Sequence, residues 1–370
     1  MFRIARILAL LTSAMSSLSA SAPPLRVFVG TYTANGSRGI YTTTFDSAKG
    51  TFTAPVLAAE TPNPSFLDLS PDQTVLYAVN ESPAGVRAYT IGAGGALSPL
   101  GKAPSGLVGP CDVAAHSGGR LVVVADYSGG SVAAFPVLAG GALGPRSDLE
   151  PHTGKSVNPQ RQEAPHAHGV TYSPDGRFLA VPDLGIDQVK VYAVETATAT
   201  LHPVGALAIA AGSGPRHCAF SHDGHQLYVI NELFSTITVA AFDPVSGALQ
   251  ATQTLSTLPT GYSGASTTAE IVVHPSNRFV YGSNRGHDSI AVFSRDPKSG
   301  ALTWVEATPI GGKTPRNFAV SPDGAWLISA NQDSDTLTVF SIHPSTGKLT
   351  PSGPATALPR PVCVKFVGAR

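Results

Sequence analysis

Arginine, histidine and glutamate side chains recur at matched positions along this chain of 370 residues. One stretch, residues 214–233, has Arg216 and His217 near its start and Asn231 and Glu232 near its end. Both of its halves are β-rich, and the Ser-His-Asp-Gly segment between them is typical of a tight turn. The stretch therefore predicts an antiparallel hairpin whose open end gathers a guanidinium, an imidazole and a carboxylate.

Side chains of these types together suit an anionic substrate. Arginine binds carboxylate or phosphate in bidentate fashion and stabilises a developing oxyanion. Histidine and glutamate move protons near neutral pH when their surroundings tune them. The cluster therefore indicates a small-molecule site that recognises negative charge and transfers protons.

The same strand–turn–strand pattern occurs in six copies, four with a clear Ser-x-Asp turn and weaker ones at His116 and His274. A third β-rich segment and a short fourth one follow each copy. Each copy therefore predicts a four-stranded antiparallel sheet of the length of a propeller blade. An Asn or Asp recurs nine residues after the middle of each turn, at Asn80, Asp126, Asp183, Asn231, Asn284 and Asn331.

A seventh sheet is predicted to form from both ends of the chain. Residues 360–366 match the first strand of a copy, and the segments 25–31 and 40–45 and the one near Phe52 match the other three. Pairing the two ends closes the ring and removes unpaired sheet edges. The sequence therefore predicts an all-β, seven-bladed propeller that occupies residues 21–370 as one domain.

First strands of a propeller line its central channel, so first-strand starts and second-strand ends of different blades meet at one mouth. Glu81, Tyr127, His168 and Glu270 belong to this set, and so do Arg216, Glu232 and Arg285 of the more charged copies. We predict the functional site there. The side chains expected to contact the substrate are those of His166, His217, Asn231, Asn284, His287, Arg316 and Asn317.

Two long connections, residues 146–164 and 253–267, precede the fourth and sixth blades. Each joins a fourth strand to the next first strand, which places both on the face that holds the predicted site. Long loops in a compact domain often bind ligands or cover them, although neutral surface insertions are the alternative.

Several other kinds of chemistry are not favoured. His166 and His168 could bind a metal as a His-x-His pair, but the nearby arginines would repel a cation, so we expect no metal and no cofactor. No G-x-S-x-G elbow is present, since 261–264 lacks its last glycine. No Gly-rich phosphate loop precedes a helix.

The first 20 residues have the features of a signal peptide, namely Arg3 and Arg6, an apolar run, and small residues up to Ala20. We predict export to the periplasm or the extracellular space. Without this segment 22 basic side chains face 24 acidic ones, so neither nucleic acid nor membrane is an expected partner, and we expect a monomer. The three cysteines are predicted to be free and buried.

The chain resembles the lactonase family of seven-bladed propellers, which includes 6-phosphogluconolactonases and fungal 3-carboxy-cis,cis-muconate lactonizing enzymes. The segments with this resemblance are VFVGTYT, RQEAPHAHGVTYSPDGRFL, GPRHCAFSHDGHQLYVINEL and VYGSNRGHDSIAVF. The resemblance implies catalytic or anion-binding roles for His168, Arg216, Glu232 and Arg285, with His166 as the alternative histidine. Phosphogluconolactone is a cytosolic sugar phosphate, whereas the predicted signal peptide indicates export. An exported member is therefore expected either to open another lactone or to share only the name of the family.

Three functions follow as hypotheses. The first is a metal-independent lactone hydrolase of carbohydrate metabolism, in which His168 or Glu232 activates water and Arg216 and Arg285 bind the anion. The second is a cycloisomerase that closes a lactone on an unsaturated dicarboxylate. The third is a non-catalytic exported propeller that binds a protein or a glycan. Only two tryptophans occur, which disfavours the third hypothesis.

Overall fold

The fold is described from a computed structural model, in which residues 24–103 and 105–368 are the described part of the chain. Within them the chain forms seven antiparallel sheets and three short 3-10 turns, Ala93–Gly95, Ala139–Gly141 and Gln332–Ser334. Successive sheets follow one another around a ring, which confirms the predicted seven-bladed all-β propeller. The predicted signal peptide, residues 1–20, lies outside the described residues.

The sheets are numbered as blades 1 to 7 from the N-terminus. Their strands in chain order are β1 (Leu25–Thr31), β2 (Gly39–Asp46), β3 (Thr51–Phe52) and β4 (Val56–Glu60) in blade 1; β5 (Phe66–Leu69), β6 (Val75–Asn80), β7 (Gly85–Ile91) and β8 (Leu97–Ala103) in blade 2; β9 (Pro110–Ala115), β10 (Leu121–Asp126), β11 (Ser131–Pro136) and β12 (Asp148–Pro151) in blade 3; β13 (Thr171–Tyr172), β14 (Phe178–Asp183), β15 (Gln188–Glu195) and β16 (Thr200–Ala208) in blade 4.

The remaining strands are β17 (Pro215–Phe220), β18 (Gln226–Asn231), β19 (Thr236–Phe242) and β20 (Leu249–Ser256) in blade 5; β21 (Thr267–Val273), β22 (Phe279–Arg285), β23 (Ser289–Arg295) and β24 (Leu302–Pro309) in blade 6; β25 (Pro315–Val320), β26 (Trp326–Asn331), β27 (Thr336–Ile342), β28 (Leu349–Pro351) and β29 (Thr356–Ala357) in blade 7; and β30 (Pro361–Val367), which returns to blade 1.

Each blade runs from its first strand at the channel to its fourth strand at the rim. In blade 5, β17 pairs with β18, β18 with β19 and β19 with β20, always antiparallel. First strands of neighbouring blades contact one another, as β17 does with β21 and β21 with β25, which places them innermost. Blades 1 and 7 contain five strands because the rim strand is divided into two pieces.

The turn between first and second strands has the same chemistry in four blades. In blade 5, Ser221 Oγ donates to Asp223 Oδ1 at 2.6 Å and accepts the backbone N–H of Gln226 at 3.0 Å. Gly224 follows with a φ of +72°, a conformation in which a side chain is strained. The same two bonds are made by Ser70, Ser173 and Ser321. The recurrent Ser-x-Asp pattern therefore fixes the hairpins, as predicted.

The recurrent Asn or Asp at the end of each second strand is buried. Asn231 donates to the hydroxyls of Thr236 and Thr238 at 3.0 Å. Asn284 donates to Thr257 O at 2.8 Å and accepts from the hydroxyl of the same threonine at 2.6 Å. These side chains therefore tie the second strand to neighbouring chain segments.

The ring closes in blade 1, where β30 pairs with β1 along its whole length, from Arg26 opposite Val367 to Thr31 opposite Pro361. This confirms that the two ends of the chain share a blade. Cys363 in β30 is fully buried. Together with Cys111 and Cys218 it is a free, buried thiol, as predicted.

Candidate functional site

A cavity of about 500 Å³ opens at the mouth of the channel where first strands begin and second strands end. We call it the upper cavity. The structure therefore brings these positions together as the repeat register predicted. The ionisable residues that line the upper cavity are Glu81, Cys111, Tyr127, Arg161, His168, Glu232, Arg285 and Arg316.

A β-bulge at the start of the first strand directs one side chain of several blades toward the channel. In blade 5, Pro215 pairs with Asn231 and His217 with Ile230, so that Arg216 is the extra residue. The same kind of bulge leaves one extra residue in the innermost strand of each of blades 1, 3 and 7. Those residues are Val362, Cys111 and Arg316, and all of them meet Arg216 at the narrow part of the channel.

Glu232 is the centre of an ion-pair cluster at this mouth. Its Oε2 contacts Arg216 Nε at 3.1 Å and Arg285 Nη2 at 3.0 Å. Its Oε1 accepts from Arg161 Nη2 at 2.7 Å. The predicted meeting of Arg216 and Glu232 across the open end of the hairpin is confirmed. Because the carboxylate is buried, these charge-assisted contacts are strong.

The cluster fixes the charge states of its members. Burial acts to raise the pKa of Glu232, but Arg285, Arg216 and Arg161 outweigh it and lower that pKa to about 2. Burial lowers the pKa of Arg285 to about 10, against the opposing effect of Glu232. Both groups are charged at neutral pH. A carboxylate this acidic is a weak proton acceptor, so Glu232 is suited to orienting the arginines.

Arg216 is held on several sides. Its Nη1 donates to Ala269 O at 2.7 Å and to His217 Nε2 at 3.2 Å. Since His217 Nε2 accepts, its Nδ1 carries the proton and donates to Glu270 Oε1 at 3.1 Å. Burial lowers the pKa of His217 although Glu270 opposes the change. A neutral His217 therefore accepts a hydrogen bond from Arg216 and helps to hold its guanidinium in place.

His168 lines the upper cavity with an almost fully buried ring. The ring packs edge-on to Tyr127 at 5.2 Å and to His217 at 5.3 Å between centroids. Burial, and then the charges of Arg216 and Arg316, lower the pKa of His168 well below its usual value. His168 is therefore a neutral imidazole, and a proton added to it would lie beside two guanidinium groups.

A second carboxylate, Glu81, lies in the same cavity with different partners. The hydroxyl of Tyr32 donates to Glu81 Oε1 at 2.9 Å and to Oε2 at 3.1 Å. The guanidinium of Arg316 lies over the Tyr32 ring, 5.3 Å from its centroid. Within residues 24–103 and 105–368, no ion pair joins Glu81 to an arginine, and the guanidinium of Arg316 donates no hydrogen bond.

The other end of the channel holds a lower cavity of about 540 Å³. The space between the two cavities is only about 10 Å³ where the bulged residues meet, and we call this point the waist. Asn317 lies in the lower cavity and donates to Glu270 Oε2 at 2.5 Å. His217 lies at the waist and also lines the lower cavity. These two predicted substrate contacts therefore lie at or beyond the waist.

Of the other predicted contacts, Arg316 lines the upper cavity, whereas His166, His287, Asn231 and Asn284 do not. His166 stacks on the Tyr127 ring at 4.4 Å, and its Nδ1 lies 3.0 Å from Tyr127 O. His287 Nδ1 bonds to the Ser289 hydroxyl at 2.6 Å. The amides of Asn231 and Asn284 are occupied by the structural bonds described above. This geometry gives their predicted part in substrate binding no support.

Arg161 and Tyr32 are site residues that sequence reasoning missed, and Arg161 is the more instructive of the two. It belongs to the long connection between β12 and β13, within the loop that was predicted to lie on this face. Its half-exposed guanidinium extends over the mouth to Glu232. Loop length therefore identified the segment, but no repeat register covers it, and so nothing in the sequence singled out this arginine.

The rings of His166 and His168 both contact Tyr127, one stacked and the other edge-on, but only His168 lines the upper cavity. No three His, Cys, Asp or Glu side chains converge as metal ligands within residues 24–103 and 105–368. In the same part of the chain, no helix has the length and apolar character needed to cross a membrane.

The fold and the mouth define a class of protein: a seven-bladed propeller with an arginine-lined, small-molecule cavity at one end of its channel. The family model described as "Lactonase, 7-bladed beta-propeller" matches residues 26–366. The chain therefore belongs to this lactonase family, which confirms the resemblance noted from sequence.

Several relatives are similar over nearly the whole chain. A 6-phosphogluconolactonase of Bacillus subtilis (strain 168) is 35% identical over 92% of this chain and 97% of its own. A solved periplasmic gluconolactonase of Pseudomonas aeruginosa is 35% identical, with a TM-score of 0.88 over 94% of this chain and 99% of that one. A solved protein from Lactobacillus plantarum is 33% identical, with a TM-score of 0.88 over 93% and 100%.

Proposed function

We propose that this protein is a metal-independent lactone hydrolase that acts on an anionic, sugar-type lactone in the upper cavity. The observation that supports the proposal most directly is the excess of positive charge there: four arginines face two glutamates at the cavity and its waist. In a partly desolvated cleft this excess attracts and orients anions. The arginines are Arg161, Arg216, Arg285 and Arg316.

The arginines divide into two groups by their partners. Arg316 has its hydrogen-bond donors free within the described residues, which suits it to bind the anionic group of a substrate. Arg161 and Arg285 face the cavity while Glu232 holds them in place. Guanidinium groups fixed in advance stabilise the negative charge that develops on the carbonyl oxygen when water adds to a lactone.

Glu232 and His168 take supporting parts in this proposal. Glu232 keeps the arginines charged and aligned, since its three ion pairs make it a weak proton acceptor. His168 offers a neutral imidazole to the lactone as a hydrogen-bond partner. The reaction also needs a group that takes a proton from water.

We also propose that the mature protein is exported and acts as a monomer. The signal-peptide features of residues 1–20 support export, and so does the similarity to a protein named a periplasmic gluconolactonase. An exported enzyme would meet lactones that occur outside the cytoplasm, so gluconolactone-type substrates belong in the test beside phosphorylated ones.

The test is an assay of purified, chelator-treated protein on a panel of lactones. The panel contains 6-phosphogluconolactone, gluconolactone and an uncharged, unsubstituted six-membered lactone. We expect ring opening of at least one sugar lactone at a rate that chelation leaves unchanged, with the unsubstituted lactone the poorest substrate. Arg316→Met should raise KM for the anionic substrate by about tenfold or more, the loss of one charge-assisted contact.

The same assay, extended to 3-carboxy-cis,cis-muconate, also addresses the other hypotheses. Lactone formation from a carboxymuconate without lactone opening would overturn the proposal in favour of a cycloisomerase. The absence of turnover on every substrate would favour a binding propeller. Activity abolished by chelation and restored by a divalent metal would overturn metal independence.

A further inference from the structure

We infer that Glu81 is the catalytic proton acceptor that activates water in the upper cavity, an inference that rests on the proposed lactone hydrolysis. The Glu81 side chain lines both the upper cavity and the waist. Glu81 directly follows β6, as Glu232 directly follows β18. The two glutamates therefore occupy one register position in blades 2 and 5, which lie on opposite sides of the channel.

The partners of the two glutamates differ in charge. Glu232 accepts from three guanidinium groups, whereas Glu81 accepts from the neutral phenol of Tyr32. An oxygen that already accepts charged hydrogen bonds is a poor proton acceptor, because protonation breaks those ion pairs. Protonation of Glu81 breaks no direct ion pair within the described residues.

The other ionisable groups nearby are poorly suited to accept a proton. Protonation of His168 would create an imidazolium beside Arg216 and Arg316 in a buried setting. Burial raises the pKa of the Cys111 thiol well above its usual value, so that Cys111 stays protonated. Of the two carboxylates that line the cavity, Glu232 is held in three ion pairs, so Glu81 remains as the proton acceptor.

Tyr32 orients the Glu81 carboxylate, and Arg316 lies where it can bring a substrate anion close to it. Burial raises the pKa of Tyr32 to about 12 although Arg316 opposes the change, so the phenol stays protonated and can orient the carboxylate. Arg316 lies over the Tyr32 ring and lines the same two spaces as Glu81. A substrate anion bound to Arg316 would therefore lie next to Glu81.

The proposed step is balanced as follows. Glu81 takes a proton from water as the water oxygen bonds to the lactone carbonyl carbon, and the carbonyl electron pair moves to its oxygen, which faces the arginines. The tetrahedral intermediate then collapses and breaks the ring carbon–oxygen bond. The ring oxygen leaves with its electron pair and takes the proton from Glu81, which gives the open hydroxy acid and a regenerated carboxylate.

The test compares Glu81→Gln with the wild-type enzyme on the best lactone of the panel. We expect kcat to fall by about two to four orders of magnitude, the usual effect of removing a general base, with KM changed by less than about threefold because uniform binding is kept. Tyr32→Phe should lower kcat by less than about tenfold, since it removes one orienting donor and keeps the Glu81 carboxylate. Glu195→Gln, an exposed glutamate at the far end of β15, is the matched control and should leave both constants unchanged.

A rescue experiment separates chemistry from structure. Glu81→Ala should regain at least about tenfold in kcat in added formate, a small carboxylate that can take the missing part in general-base catalysis. Suppose that the wild-type enzyme opens the lactone. The assignment of Glu81 would then be overturned, and the lactonase proposal would stand, if Glu81→Gln keeps half of the wild-type kcat or if formate fails to rescue a folded Glu81→Ala enzyme. Absence of wild-type lactone turnover would overturn both.

Discussion

At the scale of single residues, a buried carboxylate with three guanidinium partners is both a site component and a stability element. Glu232 neutralises charge that would otherwise be buried without compensation, and breaking such a cluster on one side is costly. Its effect on stability therefore depends on its charge state, and the depressed pKa sets the pH range in which that dependence appears.

We expect Glu232→Gln to destabilise the protein by about 3–5 kcal/mol at neutral pH, because the buried arginines lose their counter-charge. Kinetically, kcat should fall by less than about tenfold, since Glu232 orients groups and does not take the proton. Urea unfolding monitored by fluorescence gives the first value and the lactone assay the second. A decrease in kcat of several orders of magnitude with unchanged stability would contradict this assignment.

The stability difference should also vary with pH. Because the pKa of Glu232 is lowered from 4.5 to about 2 on folding, its contribution is complete above about pH 4.5 and is lost as the pH falls toward 2. The wild-type protein should therefore approach the Glu232→Gln protein in stability as urea unfolding is repeated from pH 5 down to pH 2.5. An unchanged difference over that range would contradict the low pKa.

The cavity is lined by residues whose type is found in only some of the repeats, and these indicated the site better than the residues that occur in every repeat. The side chain at the end of each second strand ties that strand to its neighbours, so Asn231 and Asn284 recur for a structural reason and their recurrence does not indicate substrate binding. His168, Arg216, Glu232 and Arg316 are not shared by all copies, and each lines the cavity or its waist. The bulge that directs Arg216 inward has no marker in the sequence beyond the preceding proline.

At the scale of elements, the insertion between β12 and β13 places a cation over the site through the ion pair of Arg161 with Glu232. Arg161→Met removes the contact with Glu232 and should raise KM for an anionic lactone by about three- to tenfold, equivalent to about 1 kcal/mol for a partly exposed pair. Limited proteolysis should cut this loop faster in the variant. Lys155→Met, an exposed cation of the same loop, is the control and should change neither measurement.

The hairpins were predictable because their turn chemistry is local. A serine, an aspartate and, in most copies, a glycine close each turn with bonds that span five residues or fewer. The insertion was predictable only as a location, since its path depends on long-range contacts such as that of Arg161 with Glu232. Local rules do not specify contacts of this kind.

At the scale of the whole molecule, closure of the ring depends on β30. Deletion of residues 360–370 removes the first strand of blade 1 and exposes the edge of β1, together with apolar neighbours of Cys363 and Val364. We expect aggregated, insoluble protein on expression, whereas deletion of residues 369–370 alone should yield soluble protein. A soluble, cooperatively unfolding 360–370 deletion would contradict closure by β30.

Closure was predictable because residues 360–366 repeat the first-strand pattern that the N-terminal copy lacks. The number of blades followed from counting copies. The division of the channel into two cavities did not follow, because it depends on where bulky side chains from different blades meet. For this reason His217 and Asn317 were assigned to a single site with Glu232, although they lie at or beyond the waist.

The waist has a consequence for ligand traffic. The space at the waist, about 10 Å³, has roughly the room of one water molecule, so we expect a sugar-sized molecule that arrives at the upper mouth to depart through the same mouth. Ring opening converts a neutral ester into a carboxylate, which means that the departing molecule is more negative than the arriving one and leaves past the same arginines. Escape of the product is therefore the expected bottleneck of each cycle, and the accumulated hydroxy acid is the expected competitor for the empty enzyme.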